Sequence, residues 1–574
     1  MSEHKQEQFE FFDLPTIKGF PELRWTGKRP YRSTLYYPAQ LRERYGDEIK
    51  SGPHEGWINK LFWGDNLQVM SHLLAEFRGK VDLIYIDPPF DSKADYKKKI
   101  SLRGKTVTND ASSFEEKQYG DIWTNDEYLQ FMYERLIICR ELLSDTGSIY
   151  LHCDWHKSHH LRMIMDEIFA PSNFLNEVIW AYGSGGGSKD RFGRKHDTLL
   201  FYAKKEGRHQ FFPDEVRVPY SAVIPDKWAD KFDPRGKYCP DTWDISRPPN
   251  HSAEWVKYPT QKPEALLERV LLASSKPGDI VFDCFMGSGT TQAVAMKLGR
   301  KFIGSDINLG AVQTTSKRLL VIAEGIEAKR VSLLDSDDEE LQKFTGFEVL
   351  NVNNYDFFRN PVEARQLLIE ALEVQPFPAA NVWDGELDGR MVKIMPVNRI
   401  ATKADLEELK ANLPYKTYEK RKEENPGKPV ERITLVCMGH DADLKASLEA
   451  ELADYKVDVE VVDILRDRKD LHLKREAEAE VVREGGKLVI RQFYPLNLMQ
   501  KLSMQKEFVD DWRQLVESVM IDWNYDGVVM EPTITDVPSK DELVAGFYEI
   551  PDDVGTIRVK ITDLLAESLE VEVG

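Results

Sequence analysis

Residues 81–90 read VDLIYIDPPF and carry the clearest indication of the fold. Its leading residues are almost continuously apolar, which is typical of a strand buried on both faces of a parallel sheet. Asp87 follows at the carboxyl end of that strand, where the ligands of open α/β sheets bind. Pro88 and Pro89 then fix φ and hold the neighbouring backbone acceptors rigid. The stretch therefore predicts an α/β fold with a ligand site at Asp87.

The segments around this strand alternate between the apolar spacing of helices and that of strands. The predicted strands are Ser148–His152, Glu177–Trp180, Thr198–Ala203, Asp279–Asp283 and Lys301–Asp306. The predicted helices are Glu127–Leu143, His156–Phe169, Glu264–Ser274, Thr290–Leu298 and Ala311–Ala323. One doubly wound, Rossmann-like α/β sheet can hold all of them. In the acidic C-terminal region, residues 433–462 have the pattern of strand, helix and strand, and residues 519–571 are mostly β.

A second motif, FDCFMGSGTT at residues 282–291, lies where a predicted strand turns into a helix. Glycines in such a turn let the backbone approach a ligand, and Asp306 at the end of the next strand can bond ribose hydroxyls. The third glycine of a dinucleotide fingerprint would fall at Gln292. S-adenosylmethionine is therefore favoured, because a cofactor without a pyrophosphate does not need that glycine. A nucleotide-phosphate site and a tight turn without a ligand are the alternatives.

The chemistry available at residues 87–90 fits an amine that is conjugated to an aromatic ring. Such an amine is a poor nucleophile, because its lone pair is delocalised into the ring. The Asp87 carboxylate can accept one N–H and the Pro88 carbonyl the other, which directs the lone pair toward a methyl donor. Phe90 supplies a face on which an extruded base can stack. In-line displacement from a sulfonium then depends mostly on positioning. An Asp-Pro-Pro turn alone could also be an ordinary strand-ending loop.

The net charge of −20 over 574 residues is distributed unevenly. Residues 331–574 hold 51 acidic and 30 basic side chains, a balance of −21. Subtraction from the totals of 97 and 77 leaves 46 acidic and 47 basic side chains, or +1, for residues 1–330. Phosphate binding needs local cationic grooves rather than a positive total. A nucleic acid is therefore expected to meet the N-terminal part.

Two basic runs, residues 91–105 and residues 189–208, are candidate DNA contacts. The second run follows the glycine-rich residues 183–187, a pattern that favours a loop that orders on DNA and follows its backbone. Solvated loops are the alternative for either run alone. The side chains expected to contact DNA are Lys93, Lys97, Lys98, Lys189, Arg191, Arg194 and Lys195.

Membrane, secreted and metal-binding proteins are disfavoured. No stretch of about 18 consecutive apolar residues could span a bilayer. The N-terminus lacks the pattern of a secretory signal, so a cytoplasmic protein without a membrane role is expected. The five cysteines contain no C-x-x-C pair, which disfavours a disulfide framework or an all-cysteine zinc site.

Ligand-type side chains do cluster where a strand is expected to end and a helix to begin: His152, Cys153, His156, His159 and His160. We expect polar surface on the DNA side there rather than a metal.

With both motifs in place, the sequence resembles the amino-methyltransferases of DNA, in the circularly permuted β class where the catalytic motif precedes the cofactor motif. Asp87 stands 196 positions (283 − 87) before Asp283. Further blocks follow the family's order: Trp63–Asn66, Tyr128–Leu143, Gly147–Tyr150, Asn176–Tyr182, His196–Tyr202 and Pro259–Pro263. Together the matches cover roughly residues 57–320. Asp rather than Ser before Pro-Pro implies adenine-N6 over cytosine-N4 methylation. Phe90 stands where the family more commonly has Tyr, a change that stacking tolerates.

The resemblance implies that S-adenosylmethionine is the cofactor, and it assigns the contacts. Asp65 is expected near the adenine end of the cofactor, and Thr260 and Lys262 near its methionine end. The residues expected to form the rest of the cofactor site are Asp283, Phe285, Gly287, Gly289, Thr290 and Asp306.

The length and the C-terminal region resemble the modification subunits of Type III restriction systems and related phage-defence methyltransferases. The target-recognition insert, residues 207–257, is short, so part of target recognition is expected C-terminally, or the target is short. The expected domains are an extension at 1–50, a methyltransferase core at 51–330 with its DNA-contact loop and insert at about 183–257, an acidic linker at 331–345, and a C-terminal region at 346–574 for partner or target contacts, with one or two subdomains.

The expected partner is double-stranded DNA. A helicase or nuclease subunit of a restriction or defence system, and a homodimer, are further hypotheses. Cytosine-N4 methylation, methylation of RNA or of a small molecule, and a catalytically silent DNA-binding specificity subunit are the alternatives. Intact Asp87, Phe90 and Gly287 argue against the silent subunit.

Overall fold

The computed structural model describes most of the chain. The residues described are 8–11, 19, 21–89, 95–101, 113–120, 125–183, 189–220, 232–248, 252, 254–256, 258, 260–332, 344–352, 365, 368–369, 372, 374–377, 382–395, 401, 405–406, 409–410, 413–425, 428–437, 444–464, 477–496, 498–499, 502, 509, 511–538, 542–565 and 567–573. For residues 95–101 and 113–120, only the backbone is described. Phe90 and Lys93 lie outside the described residues. So do residues 184–188, which include most of the glycine-rich stretch.

Helices and strands alternate in the first part of the chain, and strands predominate in the last. The strands are β1 (Gln8–Glu10), β2 (Ser33–Leu35), β3 (Ala39–Tyr45), β4 (Asn59–Trp63), β5 (Val81–Ile86), β6 (Asp95–Ser101), β7 (Ser113–Gly120), β8 (Leu143–Cys153), β9 (Phe174–Ala181), β10 (His196–Ala203), β11 (Thr242–Asp244), β12 (Ile280–Asp283), β13 (Lys301–Asp306), β14 (Phe347–Val352), β15 (Gln375–Pro376), β16 (Gly385–Leu387), β17 (Arg390–Ile394), β18 (Arg432–Cys437), β19 (Asp458–Asp463), β20 (Glu478–Glu484), β21 (Lys487–Tyr494), β22 (Val516–Asp522), β23 (Ile534–Asp536), β24 (Phe547–Glu549), β25 (Ile557–Asp563) and β26 (Ser568–Val573). The helices are α1 (Asn66–Phe77), α2 (Asn125–Leu142), α3 (Ser158–Phe169), α4 (Glu264–Ser274), α5 (Thr290–Lys297), α6 (Leu309–Ser332), α7 (Tyr415–Glu424) and α8 (Leu444–Glu451).

Ten of the described strands form the central sheet, in the order β11-β9-β10-β8-β5-β12-β13-β4-β14-β3. The strands from β8 to β14 in that order are parallel to one another. β10 is antiparallel to both of its neighbours, and β3 is antiparallel to β14. After β5 the chain continues to β8, the neighbour of β5 on one side. After β12 it continues to β13, which lies on the opposite side. Such a reversal is where a crevice for ligands opens at the carboxyl ends of the strands.

The strands and helices predicted between residues 81 and 323 are confirmed. Most bounds differ by only a few residues, as helix and strand ends commonly do. The largest difference is at α6, which continues to Ser332 rather than ending at Ala323. The predicted strand, helix and strand at 433–462 are β18, α8 and β19, and the β-rich stretch at 519–571 is β22 to β26.

The central sheet is wider than the sequence pattern indicated. β4 and α1 were not predicted, although both belong to it or pack on it. β3 and β14 pair antiparallel at one edge, with Phe347 opposite Tyr45. β3 lies within the predicted extension at 1–50, so that segment in part completes the sheet instead of covering it. Four of the seven residues of β3, AQLRERY, are polar or charged, so no run of apolar residues marked it as a strand.

The described chain divides into two compact units. The first comprises residues 1–23, 30–352 and 477–574, so the predicted C-terminal region contributes to both units. Met520 and Met530, from its last segment, belong to the same hydrophobic core as the central sheet. The strands of that segment form a sheet ordered β20-β21-β24 and another ordered β23-β22-β25-β26.

The second unit comprises residues 24–29 and 353–476 and has its own sheet, ordered β15-β16-β17-β18-β19. The last three strands are parallel. Its core packs around Trp383, Tyr418 and Leu435. In neither unit do the described residues include a helix that is long and apolar enough to cross a membrane.

Candidate active site

Aspartates stand at the carboxyl ends of four adjacent strands of the central sheet. Asp65 follows β4, Asp87 follows β5 directly, and Asp283 and Asp306 end β12 and β13. Because these strands are parallel neighbours, the four side chains reach the same edge of the sheet. The predicted catalytic and cofactor motifs therefore meet in one crevice.

Asp87 is held on one side by a cation. Its Oδ2 accepts a hydrogen bond from Lys262 Nζ, and the two side chains are 18% and 10% exposed, respectively. Asp87 Oδ1 is buried and has no hydrogen-bond partner among the described residues. His152 Nδ1, at 4.0 Å, is too distant. A buried acceptor without a donor costs roughly 1–3 kcal/mol, so this oxygen fits an N–H brought by a ligand.

His152 belongs to a buried polar network behind Asp87. The Tyr85 hydroxyl lies 2.7 Å from His152 Nδ1, and His152 Nε2 lies 3.2 Å from Asp197 Oδ2. Because an ionised carboxylate only accepts, Nε2 carries the hydrogen. The Tyr182 hydroxyl donates to Asp197 Oδ1 at 3.1 Å. Burial opposes the ionisation of Asp197, but the hydrogen bonds from His152 and Tyr182 hold its pKa below the usual value.

The glycine turn between β12 and α5 is shaped for glycine. Gly287 and Gly289 have φ values of 51° and 69°, in the left-handed region that glycine enters without cost. A Cβ on Gly289 would lie 2.4 Å from the Thr315 side chain. The Gly287 N–H donates to Asp306 Oδ2 at 2.9 Å. The turn is thus joined to the end of β13, as a cofactor site spanning both strands requires.

Lys262 connects the two predicted motifs. While its ammonium bonds Asp87, its backbone carbonyl accepts from Thr290 Oγ1 at 3.3 Å. Arg318 braces the same turn, because its Nη1 donates to the Ser288 carbonyl and to Thr290 Oγ1, both at 3.1 Å. Asp87 and the glycine turn, far apart in sequence, therefore lie on either side of one lysine.

Burial makes the crevice carboxyls reluctant to ionise. It raises the pKa of Asp283 to about 7, with a further contribution from the charges of Asp87 and Asp306, although hydrogen bonds from Thr291 and the Phe285 N–H oppose the shift. Burial likewise raises the pKa of Asp306 to about 6. Closely spaced buried carboxyls of this kind favour a ligand that brings positive charge.

Asp65 has a structural task. Its Oδ1 accepts the Leu67 N–H at 2.9 Å and caps α1, while its Oδ2 pairs with Arg135 Nη2 at 3.0 Å. The neighbouring Asn66 donates to the Cys284 carbonyl at 3.1 Å and accepts from Arg135 Nε at 2.5 Å. The start of α1 is thereby tied to the glycine motif. The expected contact of Asp65 with the cofactor stays a prediction.

Phe285 and Thr260 are two further predicted cofactor residues. The half-buried ring of Phe285 lies 6.1 Å from that of Phe131, on which Arg135 stacks. Thr260 is exposed and has a φ of 64°. This conformation is strained for a β-branched residue, and such strain clusters at functional sites.

The predicted DNA contacts are only partly described. The side chains that the structure describes are those of Lys189, Arg191, Arg194 and Lys195. The first three are exposed and the last is partly exposed. Lys97 and Lys98 lie in β6, which pairs with β7, and only their backbone is described. Their contact with DNA stays a prediction.

The cluster of histidine and cysteine is less exposed than expected. His152 and Cys153 are fully buried, so the expectation of polar surface is wrong for these two, because β8 is an interior strand of the sheet. His156 Nδ1 lies 2.6 Å from Asp154 Oδ2. Across the part of the chain that the structure describes, no group of three or more ligand-type side chains is arranged to hold a metal ion.

Sequence reasoning identified Lys262 but missed two other cations that organise the site, Arg135 and Arg318. Arg135 lies in the middle of α2 and Arg318 in the middle of α6, and their side chains are 7% and 5% exposed. Arg318 also pairs with Glu264 at 2.7 Å. A charged residue on the apolar face of a predicted helix is the signal that could have revealed them, since such charges are rarely buried unless paired.

Comparison with known proteins identifies the family of the chain. The family of N6 and N4 methyltransferases described as "DNA methylase" matches residues 81–317. The type II methyltransferase M1.MboII of Moraxella bovis is 33% identical over 247 residues, which cover 40% of this chain and 85% of that protein. The type II methyltransferase M.HpaI of Haemophilus parainfluenzae is 31% identical over 239 residues, covering 42% and 68%. The DNA adenine methyltransferase YhdJ of Escherichia coli strain K12 is 29% identical over 283 residues, covering 48% and 84%. The chain therefore belongs to the N6/N4 family of DNA methylases.

Proposed function

We propose that this chain transfers a methyl group from S-adenosylmethionine to the N6 amine of an adenine extruded from duplex DNA. The observation that carries the proposal is Asp87, which follows a buried strand, precedes two prolines and keeps one buried oxygen without a described donor. The name of YhdJ, a DNA adenine methyltransferase, supports adenine as the target. The Asp before Pro-Pro supports the same choice.

The residues around the glycine turn fit S-adenosylmethionine. The buried carboxyls of Asp283 and Asp306, whose pKa values are raised, suit a cationic ligand. The ammonium of Lys262 suits the carboxylate of the methionine part, and Gly287 leaves the turn without a side chain. When bound, this cofactor supplies an activated methyl group on a positively charged sulfur.

The residues of the catalytic motif orient the base. With Lys262 on Oδ2, the Oδ1 of Asp87 remains to accept an N–H of the target amine, and the Pro88 carbonyl accepts the other. These acceptors direct the nitrogen lone pair away from the ring, and the prolines keep them rigid. Asp87 takes the surplus proton after transfer, directly or through water. Phe90, outside the described residues, is the proposed stacking face.

Methyl transfer with labelled donor tests this function. The purified chain is incubated with duplex DNA or RNA of mixed sequence. The nucleic acid is then digested, and the methylated nucleosides are separated by chromatography and identified by mass spectrometry. We expect N6-methyladenine from the duplex DNA. N4-methylcytosine would correct the target base, RNA methylation would correct the polymer, and no transfer to any of them would favour the silent specificity subunit.

The catalytic role of Asp87 is tested with a matched pair of variants. Asp87→Ala should lower the transfer rate by about a hundredfold or more, because both orientation and proton transfer are lost. The control is Asp47→Ala, which removes an exposed aspartate that pairs with Lys50 and should leave the rate unchanged. Equal rates for wild type and Asp87→Ala would refute the assignment.

We further propose that the chain acts within a restriction-modification or phage-defence system. The names of its type II relatives support this setting, and the acidic residues 331–574 are the proposed surface for a helicase or nuclease partner. Modification-sensitive sequencing of DNA from cells that express the chain would give the target sequence. Light scattering of the purified chain would test a homodimer.

A further inference from the structure

Phe192 is the most exposed large apolar side chain in the part of the chain that the structure describes. Its exposed fraction is 97%, compared with 73% for Val528 and 60% for Tyr238. A single exposed apolar residue is common on protein surfaces, so exposure alone does not indicate a role. The charges around this ring and its place in the fold carry the inference.

The ring is surrounded in sequence by positive charge. Residues 189–195 contain four basic side chains and one acidic side chain, a balance of +3. Arg191 Nε lies 3.6 Å from Asp190 Oδ1, but both side chains are more than half exposed, so the pair is weak and screened by solvent. An aromatic ring among cations fits nucleic acid, which offers phosphates to the cations and bases to the ring.

The loop that carries Phe192 leaves the sheet at the edge where the active site lies. It connects β9 to β10, and its base is closed by the hydrogen bond from the Tyr182 N–H to the Lys195 carbonyl at 3.0 Å. Thr198, near the start of β10, lies opposite Cys153 at the end of β8. β8 is the parallel neighbour of β5, which Asp87 follows. Phe192 and Asp87 therefore belong to the same edge.

One contact anchors the loop beside Phe192. The guanidinium of Arg194 lies 3.3 Å from the ring centroid of Trp155, in the turn between β8 and α3. Cation–π contacts of this kind restrain the backbone that carries the cation. Phe192, two residues away, thus projects into solvent from a restrained segment and not from a free tail.

We propose that Phe192 inserts into the base stack of duplex DNA and fills the gap left by the extruded target base. This inference rests on the proposed function and adds the residue that supports extrusion. Apolar wedges that enter base steps are a recurring device of proteins that distort DNA. The ring replaces part of the stacking that the target base gives up, and Lys189 and Arg191 hold the flanking phosphates.

Duplexes that differ only opposite the target base test the insertion. Once the target sequence is known, one duplex carries the normal partner of the target adenine and the other an abasic site, which makes extrusion easier. We expect Phe192→Ala to lower kcat/KM about tenfold on the matched duplex and far less on the abasic duplex. Phe192→Trp keeps an aromatic ring and should retain most of the rate on both.

Controls separate this inference from the proposed function. Phe547→Ala removes another exposed aromatic ring, on β24, and should leave both rates unchanged. If Phe192→Ala methylates the matched duplex like wild type, or is impaired equally on both duplexes, the insertion is refuted while the function stands. If Phe192→Ala changes only the oligomeric state, the ring serves contact between chains and the insertion is also refuted. A wild-type chain that methylates nothing would refute the function itself.

Discussion

At the level of single residues, the crevice concentrates buried carboxyls around one lysine. Asp87, Asp283 and Asp306 lie at one edge of the sheet, and the ammonium of Lys262 bonds Asp87. Buried carboxyls in such proximity destabilise one another when ionised. A cationic ligand relieves that repulsion, which explains how a stable fold can retain them.

The affinity for the cofactor should depend on pH. Because the pKa of Asp283 is raised to about 7, this carboxyl is protonated below that pH and no longer attracts a cation. We expect binding of S-adenosylmethionine to weaken about tenfold between about pH 8 and about pH 6, measured by titration calorimetry. Asp283→Asn should remove most of this dependence. A wild-type affinity that is constant over this range would contradict the prediction.

The same carboxyl also makes the stability of the ligand-free fold depend on pH. A higher pH favours cofactor binding but disfavours the ligand-free fold. The unfolded chain releases the proton near pH 3.8, whereas the folded chain keeps it to about pH 7. The folded state therefore binds more protons between these values, and this group lowers the stability of the ligand-free fold as pH rises through that window. Bound cofactor should reverse that loss.

Removal of Lys262 should weaken the binding of the cofactor. The ammonium bonds Asp87 and the backbone of Lys262 contacts Thr290 at the glycine turn, near which the carboxylate of the methionine part is expected. Lys262→Met should weaken binding at least about tenfold, because a charge-assisted hydrogen bond is lost. The control is Lys297→Met, which removes a lysine that pairs with Glu264 and is 43% exposed. Equal affinities of Lys262→Met and wild type in calorimetry would exclude the assigned contact.

At the level of elements, the site depends on how helices begin. α5 starts at the glycine turn, and α1 starts at the Asp65 cap. The cap is also the partner of Arg135 from α2, so a single side chain sets the start of one helix and satisfies the charge of another. These contacts hold the glycine motif through Asn66 and the Cys284 carbonyl.

Two substitutions of Asp65 separate the cap from the ion pair. Asp65→Asn keeps an oxygen that caps α1 but leaves Arg135 without its counter-charge, which should cost roughly 1–3 kcal/mol of unfolding free energy. Asp65→Ala removes both and should cost about 1 kcal/mol more. Urea unfolding followed by tryptophan fluorescence measures both values. Equal losses would mean that the cap contributes nothing.

At the level of the whole molecule, residues 477–574 are part of the first unit. The Arg44 N–H donates to the Met530 carbonyl at 2.9 Å, and the Met530 N–H donates to the Arg42 carbonyl at 3.1 Å. Lys560 from β25 pairs with Glu43 from β3, and the two side chains are 6% and 13% exposed. The edge strand β3 is thus covered by the last segment of the chain, which blunts an edge that could otherwise pair with another chain.

The pair of Lys560 and Glu43 should be strongly coupled. Burial raises the pKa of Glu43, but the adjacent Lys560 ammonium outweighs this effect and keeps the pKa below its usual value. Lys560→Met or Glu43→Gln alone should cost about 3–5 kcal/mol, because one charge stays buried, and the double variant should cost much less than the sum. The exposed pair of Lys205 and Asp145, whose side chains are 49% and 56% exposed, is the control, with single losses below about 1 kcal/mol. Additive losses at the buried pair would show that the side chains of Lys560 and Glu43 are not coupled.

The local features of this protein follow from its amino-acid sequence alone. Periodicity identified most of the strands and helices between residues 81 and 323, because a buried strand and an amphipathic helix each leave a short-range pattern. It did not identify β6, β7 or β11. Asp87-Pro88-Pro89 and the turn at Gly287 and Gly289 were recognisable for the same reason: their chemistry is set by adjacent residues.

The contacts between distant side chains became visible only in the folded molecule. Lys262 on Asp87, His152 on Asp197 and the Arg135 pair with Asp65 join positions far apart in the chain, and the sequence carries no periodicity for such pairs. The coverage of β3 by residues 477–574 was likewise invisible, since an edge strand can be completed by any segment with matching hydrogen bonds. These contacts are decided by the packing of parallel strands and of a late segment, where burial and charge pairing act between elements and not within them.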